Sequence, residues 1–168
     1  DWINGYSFFQ LTPNVAWSPS GETFAVGLIT GTLLVYGCSN TSCDLSAPLL
    51  NVVSHWGDTS FSGSAQMHKG LAPVLQVAYS PDGAYIATAG AEFDFNSRVN
   101  FRGIRIWRFD EGLKTLTLYA EFPNPSANPE FATPFTHHAS AVAWSPDSTH
   151  IVVGSRDSNI ALFRLDTA

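Results

Sequence analysis

The sequence predicts an all-β fold of antiparallel sheets that stack on one another in chain order, and three observations predict it. A seven-residue string recurs as Val15-Ala-Trp-Ser-Pro-Ser-Gly21, Val77-Ala-Tyr-Ser-Pro-Asp-Gly83 and Val142-Ala-Trp-Ser-Pro-Asp-Ser148. After each copy come two short apolar runs: 24–28 with 32–36, 85–89 with 103–107, and 151–155 with 160–163. In the run 103–107, Ile104 and Ile106 alternate with Arg105, which is the two-residue period of a strand. Hydrophobic residues make up 45% of the 168 and charged residues only 13%, which argues against disorder and for sheet faces covered by neighbours. A repeat that cannot bury both faces by itself must stack on the next one.

Taken in order, the chain opens at Asp1 with no charged-then-apolar leader before the first repeat, so it is expected to begin inside a longer protein or after processing. Residues 6–11 are a short apolar run stopped at Thr12-Pro13, as an edge or outer strand would be. In the first repeat Pro19 pre-sets its own φ and Gly21 accepts a positive one, closing a tight turn. A second turn falls at 29–31, and residues 48–54 read as an outer strand. Residues 56–70, rich in Ser and Gly, read as a long loop. In the second repeat Ser80, Pro81, Asp82 and Gly83 make the turn, residues 91–102 swell the next connection, and 115–122 follows the 110–114 turn as an outer strand. Residues 123–138 contain Pro123, Pro125, Pro129 and Pro134 and read as a stiff surface loop. The third repeat opens on Ser145, Pro146 and Asp147 and runs to Phe163, with no room for an outer strand before Ala168. The repeats span approximately 14–56, 71–122 and 139–168 of one domain.

These strings resemble the WD-repeat family of β-propellers. Its blades read as a Val-x-x-Ser-Pro-Asp-Gly turn, a small-residue strand, an Asp-containing turn and a strand ending in Ile-x-Ile-Trp-Asp. The best matches are Ser80-Pro-Asp-Gly83 with Ile104-Arg-Ile-Trp107, and Ser145-Pro-Asp147 with Gly154-Ser-Arg-Asp157. The resemblance implies a β-propeller fragment of stacked four-stranded antiparallel blades with the last blade incomplete. It also implies a structural network: a His before the first strand, a Ser or Thr on the second, an Asp in the following turn and a Trp ending the third. Trp107 fits in the second repeat, where the 91–102 insertion displaces the Asp. In the third, Ser155 and Asp157 fit and His137 or His138 lies upstream, but Phe163 stands for the Trp and has no N–H to donate. Closed propellers need at least about four blades, so the remaining blades of a parent chain are expected partners.

Charge and composition exclude several functions. Net charge is −6, Lys and Arg number eight, and the densest basic stretch, 102–108, is interleaved with Ile and Trp. Nucleic-acid binding needs several cations on one face, so no nucleic-acid partner is expected. No apolar run approaches the roughly 20 residues that cross a bilayer, and no membrane partner is expected either. Cys38 and Cys43 flank the sequon Asn40-Thr-Ser42. A small disulfide with a glycosylated Asn40 would suit a secreted protein; two unrelated loop thiols with a chance sequon would suit an intracellular, cytoplasmic one, and the second is the expectation adopted. Two thiols without a nearby His pair imply no metal site, and no cofactor is expected.

Function is expected on one face of the disc. In a four-stranded antiparallel blade successive connections alternate between the two faces, so 56–70, 91–102 and 123–138 all fall on the same one. Among WD-repeat relatives that face commonly docks partners, so the resemblance implies a non-catalytic scaffold binding a protein or peptide there. Phe93, Phe95, Arg98, Phe101, Phe131, Phe135, His137 and His138 are the candidate contacts, since buried aromatic and Arg side chains dominate interface energies. The phenylalanines of 91–102 equally suit a protruding hairpin packed on itself. The alternative is part of a propeller enzyme, a hydrolase or lyase, with catalytic residues outside this chain. The histidine sites that invite a chemical reading are His55, His68 and His137-His138, and adjacent histidines on an extended segment point apart. Glu92 and Asp94 could form a carboxylate pair. No Gly-x-Ser-x-Gly elbow or phosphate-cradling loop is present.

Overall fold

The computed structural model describes residues 14–28, 31–39, 42–52, 73–93, 99–122 and 139–165, with backbone alone at 52, 91–93 and 99–102. Among the described residues there are strands and turns but no helix. The first sheet runs in the order β1 (Asn14–Trp17), β2 (Thr23–Gly27), β3 (Leu33–Gly37), β4 (Leu50–Val52). The second runs β5 (Val74–Tyr79), β6 (Tyr85–Phe93), β7 (Val99–Asp110), β8 (Thr115–Phe122), and the third β9 (Ala139–Trp144), β10 (His150–Ser155), β11 (Ile160–Arg164). All pairings are antiparallel. The sheets are the blades expected, and the third has three strands among the described residues.

The recurring heptapeptide builds the same turn each time. A buried or half-buried serine accepts the N–H that opens the second strand: Thr23 N–H to Ser18 Oγ at 3.1 Å, Tyr85 to Ser80 at 2.9 Å, His150 to Ser145 at 2.8 Å. The turn's last residue takes a left-handed φ of 74° at Gly21, 76° at Gly83 and 61° at Ser148. Glycine fits that conformation without strain, and Ser148 holds it while its Oγ accepts the Asp82 N–H of the second blade at 3.1 Å. In the third blade the Ser145 hydroxyl, then the Thr149 N–H and hydroxyl, hold the Asp147 carboxyl down to about 2.

Strand alternation sorts the side chains into two cores, one on each side of the second blade. Ala25, Leu33 and Val35 meet Val74, Val77, Tyr79, Ile86, Trp107 and Phe109 between the first and second blades. Tyr85, Ala87, Ala89, Ile104 and Ile106 meet Ala139, Val142, Ile151, Val153 and Leu165 between the second and third. Adjacent positions on β6, Ile86 and Ala87, thus serve different cores, as a period of two requires in a sheet buried on both faces.

Polar links repeat with the same spacing. The residue before the heptapeptide's Val reaches across to the next blade: Asn14 Oδ1 accepts the Val77 N–H at 2.9 Å, and Gln76 Oε1 accepts the Val142 N–H at 2.8 Å. The heptapeptide's aromatic residue reaches back, Tyr79 OH to Thr23 Oγ1 at 3.2 Å and Trp144 Nε1 to the Ala78 carbonyl at 3.2 Å. Burial pushes the Tyr79 phenol up to about 12, with the Thr23 bond opposing and the Glu111 charge adding.

Three expectations need correction. Residues 91–102 are not simply a swollen loop. Ala91 pairs with Arg102, Glu92 with Phe101 and Phe93 with Val99 across a bulge, so β6 and β7 run on as a hairpin with only 94–98 between them. Backbone pairing at a sheet's end needs no apolar face, which is why Glu92 and Arg102 do not interrupt it. The outer strand expected at 48–54 is β4, which starts only at Leu50 and is paired to β3 through Leu50, Asn51 and Val52; residues 53 and 54 lie outside the described residues. Cys38 and Cys43 are not unrelated thiols but a disulfide, across an isolated antiparallel bridge of the same two residues. The β3–β4 connection brings the two backbones together, and separation in sequence gave no sign of that. The expected strand at 6–11 and loops at 56–70 and 123–138 lie outside the described residues.

Candidate functional site

The strand directions fix which connections share an end of the stack. The β1–β2, β5–β6 and β9–β10 turns lie at one end with the β3–β4 and β7–β8 connections, and there Pro19 of the first blade lies 3.8 Å from where a Cβ on Gly83 of the second would stand. At the opposite end β2 turns into β3, β6 into β7 and β10 into β11. From that same end the chain leaves β4 and β8 and enters β5 and β9. The connections 53–73, 94–98 and 123–138 therefore all open from one end.

What the structure places of the expected contacts is the base of the hairpin. The backbones of Phe93 and Phe101 lie on β6 and β7, beyond the Gly90–Gly103 pair. Phe95, Arg98, Phe131, Phe135, His137 and His138 lie outside the described residues, so the structure neither brings these side chains together nor separates them. Beneath the hairpin Arg105 Nε donates to Glu121 Oε1 across β7 and β8, a half-buried ion pair that ties the outer strand to the one carrying the insertion. A hairpin held at its root by a sheet can present its tip with little loss of ordering entropy.

The network implied by the resemblance is present in part, with one partner the sequence reading missed. In the second blade Trp107 Nε1 donates to Thr88 Oγ1 at 3.2 Å, and Thr88 Oγ1 donates to the Arg105 carbonyl at 3.3 Å. In the register of the third blade Ile151 pairs with Phe163 as Ile86 pairs with Trp107, so the counterpart of Thr88 is Val153 and not Ser155. Ser155 ends β10 where the turn begins, its N–H on the Asn159 carbonyl at 3.0 Å, and Asp157 Oδ1 accepts the Asn159 N–H at 3.2 Å. Both ends of the Trp–Thr bond are thus replaced together by apolar groups, and Phe163 packs at a tilt against Phe122 of the second blade, ring centroids 4.9 Å apart. Phe163→Trp alone is expected to cost about 1–3 kcal/mol through overpacking. With Val153→Thr added, the restored bond should give a favourable coupling of about 1 kcal/mol in a double-mutant cycle of urea melts. Additive changes would mean that the two positions do not meet.

No group of three or more His, Cys, Asp or Glu side chains placed to hold a metal occurs among the described residues. His55, His68 and Asp94 lie outside them, and the Glu92 side chain is not described. His150 belongs to the turn end, its Nδ1 2.7 Å from Thr149 Oγ1.

Comparison with known proteins agrees with this architecture. The family model for the WD domain, G-beta repeat, matches residues 60–97 and 130–164. WD repeat-containing protein 1 of Mus musculus is 29% identical over 153 residues, which is 90% of this chain and 18% of that protein. The chain therefore spans about a fifth of the length of the curated relatives it matches. Among solved structures, the RRP9 WD40 repeats superpose with a TM-score of 0.53 at 17% identity, over 80% of this chain and 32% of that one. The periplasmic gluconolactonase of Pseudomonas aeruginosa gives 0.61 at 14% identity, over 92% and 36%. At such identities the structural likeness shows the fold alone.

Proposed function

We propose that this chain, which carries WD repeats at 60–97 and 130–164, is a non-catalytic scaffold which binds a protein or peptide partner at the end of the blades where the β6–β7 hairpin projects. The observation that carries the reading is the continuation of β6 and β7 past the other strand pairs, on the end from which the long connections 53–73 and 123–138 also leave. Recognition by loops on a rigid sheet scaffold is a general way to fix aromatic anchors without paying for their ordering at the moment of binding. The proposed contacts are Phe93, Phe95, Arg98 and Phe101, with Phe131, Phe135, His137 and His138 from the neighbouring connection.

The test replaces Phe93, Phe95 and Arg98 together by Ala and compares the proteins co-purified from a cell extract with those held by a control changed at Asp110 and Lys114, on the opposite end. Both variants are first matched for melting temperature. The hairpin variant is expected to lose at least tenfold in recovery of its main partner while the control keeps it; equal loss in both, or none in the first, overturns the proposal. The lactonase neighbours share the fold and do not by themselves favour catalysis.

The bridged cysteines bear on the compartment. Disulfides persist in oxidising environments and are rare in the cytosol, so Cys38–Cys43 favours a secreted or otherwise oxidising location over the intracellular one expected from sequence. Alkylation of the natively expressed protein, with and without prior reduction, is expected to modify both cysteines only after reduction; modification without reductant would return the protein to a reducing compartment.

A further inference from the structure

The two middle strands of the second blade outrun their neighbours. Pairing of β5 with β6 stops at Val74 and Gly90, and pairing of β7 with β8 stops at Ile104 and Phe122. Between them β6 and β7 keep pairing through Gly90 with Gly103, Ala91 with Arg102, Glu92 with Phe101 and Phe93 with Val99. Each outer neighbour meets a proline at this level, Pro73 before β5 and Pro123 after β8, and a proline has no N–H to give to a ladder. Beyond the Gly90–Gly103 pair the blade is therefore a two-stranded ribbon, and among the described residues no strand pairs with either of its edges.

The direction of the edge groups follows from the ladder. Phe109 N–H donates to the Ala84 carbonyl, on the β6 side, at 2.8 Å. In an antiparallel strand a residue turns its N–H and C=O to the same side, and the side alternates along the strand. The backbone groups of Trp107, Arg105 and Gly103 thus face β6, and those of Arg108, Ile106, Ile104 and Arg102 face the other way. Since β8 ends opposite Ile104, Arg102 turns a backbone donor and acceptor toward the track that β8 has left. We propose that this edge of β7, Val99–Gly103, takes up an extended, acid-bearing segment of a partner protein as an added strand in line with β8. Strand addition draws its affinity from main-chain hydrogen bonds. The inference rests on the docking end proposed above and names the mode by which that end holds its partner.

Charge selects the occupant. The stretch 98–108 carries Arg98, Arg102, Arg105 and Arg108, four of the eight Lys and Arg in a chain of net charge −6, and contains no acidic residue. Arg105 is paired with Glu121 inside the blade. Two copies joined edge to edge would set these arginines against their own kind, and like charges opposite one another disfavour a ladder. Positive charge on an edge strand is a general guard against such self-pairing, and the same charge favours an incoming strand that bears Asp or Glu. The β6 edge, Ala91–Phe93, is shorter and carries Glu92 instead of arginine, so the two edges of the ribbon are not equivalent.

Fluorescence anisotropy of a labelled, alternating Val-Glu octapeptide titrated with the 168-residue chain tests the proposal. That peptide is expected to bind, while its Val-Lys counterpart and a Val-Glu peptide N-methylated along its backbone bind at least about tenfold more weakly. Arg102→Pro removes the outward N–H where an edge strand tolerates proline, and should weaken binding at least about tenfold. Arg102→Ala keeps the N–H and gives up one exposed charge, for a loss of no more than about threefold. Melting temperatures confirm the fold of both variants, and the N-methylated peptide puts the same question to the wild-type chain with no change to its sequence. Absence of binding by the Val-Glu peptide, equal binding of its N-methylated or Val-Lys form, or equal affinity of Arg102→Pro and Arg102→Ala overturns the proposal. So does a wild type that sediments as a dimer and becomes monomeric on Arg102→Pro, which would assign the edge to a second copy. Docking at this end of the blades is decided separately by the Phe93, Phe95 and Arg98 variant, so strand addition can fall while that reading stands.

Discussion

Ile106→Ala is expected to lower the stability of the chain by about 2–5 kcal/mol, the range for removing a fully buried branched side chain where the surroundings cannot collapse. Ile106 has 0% exposure and lies between Ala87, its partner on β6, and the third blade's Val142, Ile151 and Val153. Rigid sheets on both sides limit relaxation, and the cavity opens in the interface that joins the second and third blades. Single domains are stable by only about 5–15 kcal/mol, so urea unfolding should show a much lower midpoint. The same substitution at the register counterpart Leu162, 68% exposed on the free face, should change stability by less than about 0.5 kcal/mol. Equal losses at the two positions would mean that the third blade's outer face is covered in solution at the concentration used.

The contrast between these two positions shows what the sequence could disclose. Leu162 and Ile106 read alike as apolar residues of a third strand, and the repeat grammar places both correctly on strands because a Ser-Pro turn and a two-residue period are local signals. Which apolar face is covered depends on the blade beside it, and no local pattern records that. The same holds for Cys38 and Cys43, whose bridge depends on where β3 turns back toward β4. In the sequence Thr88 looks like any small residue of a strand; its role depends on the register that sets it beside Trp107. Ser155 fits the family pattern by being polar, but the register puts Val153 at the position of Thr88, so a polar pair is replaced by an apolar one. Asn14 and Gln76 did carry a signal, an amide just before the repeated Val in two repeats of three, and only the geometry between blades gives it meaning. That the connections after the second strands and between blades share one end was legible, since alternation of strand direction is topological, but the arrangement of their side chains was not.

Gly27→Ala is expected to destabilise the chain by about 1–3 kcal/mol, and Val74→Ala to reverse much of that loss when added to it. A Cβ at Gly27 would stand 2.4 Å from Val74 Cγ1 and 2.8 Å from Val77 Cγ2, so the first and second blades would have to part. Between the second and third blades the corresponding residues are Ala89 and Ala139, both 0% exposed in the same core. One interface thus sets Gly against Val where the other sets Ala against Ala, and close packing makes the volume of each pair the quantity that matters. Val74→Ala alone leaves a small void, whereas the double variant reproduces the pair found in the second interface. Gly154→Ala supplies the control at the same register position of the third blade: there the added Cβ meets only Ala141 Cβ at 3.5 Å, ordinary contact. Replacing a strand glycine should then raise stability by about 0.5–1 kcal/mol. Thermal melts of the four variants decide the matter, and a Gly27→Ala protein as stable as wild type, or a double variant no better than the single, would show that the first two blades are not held at the separation seen here.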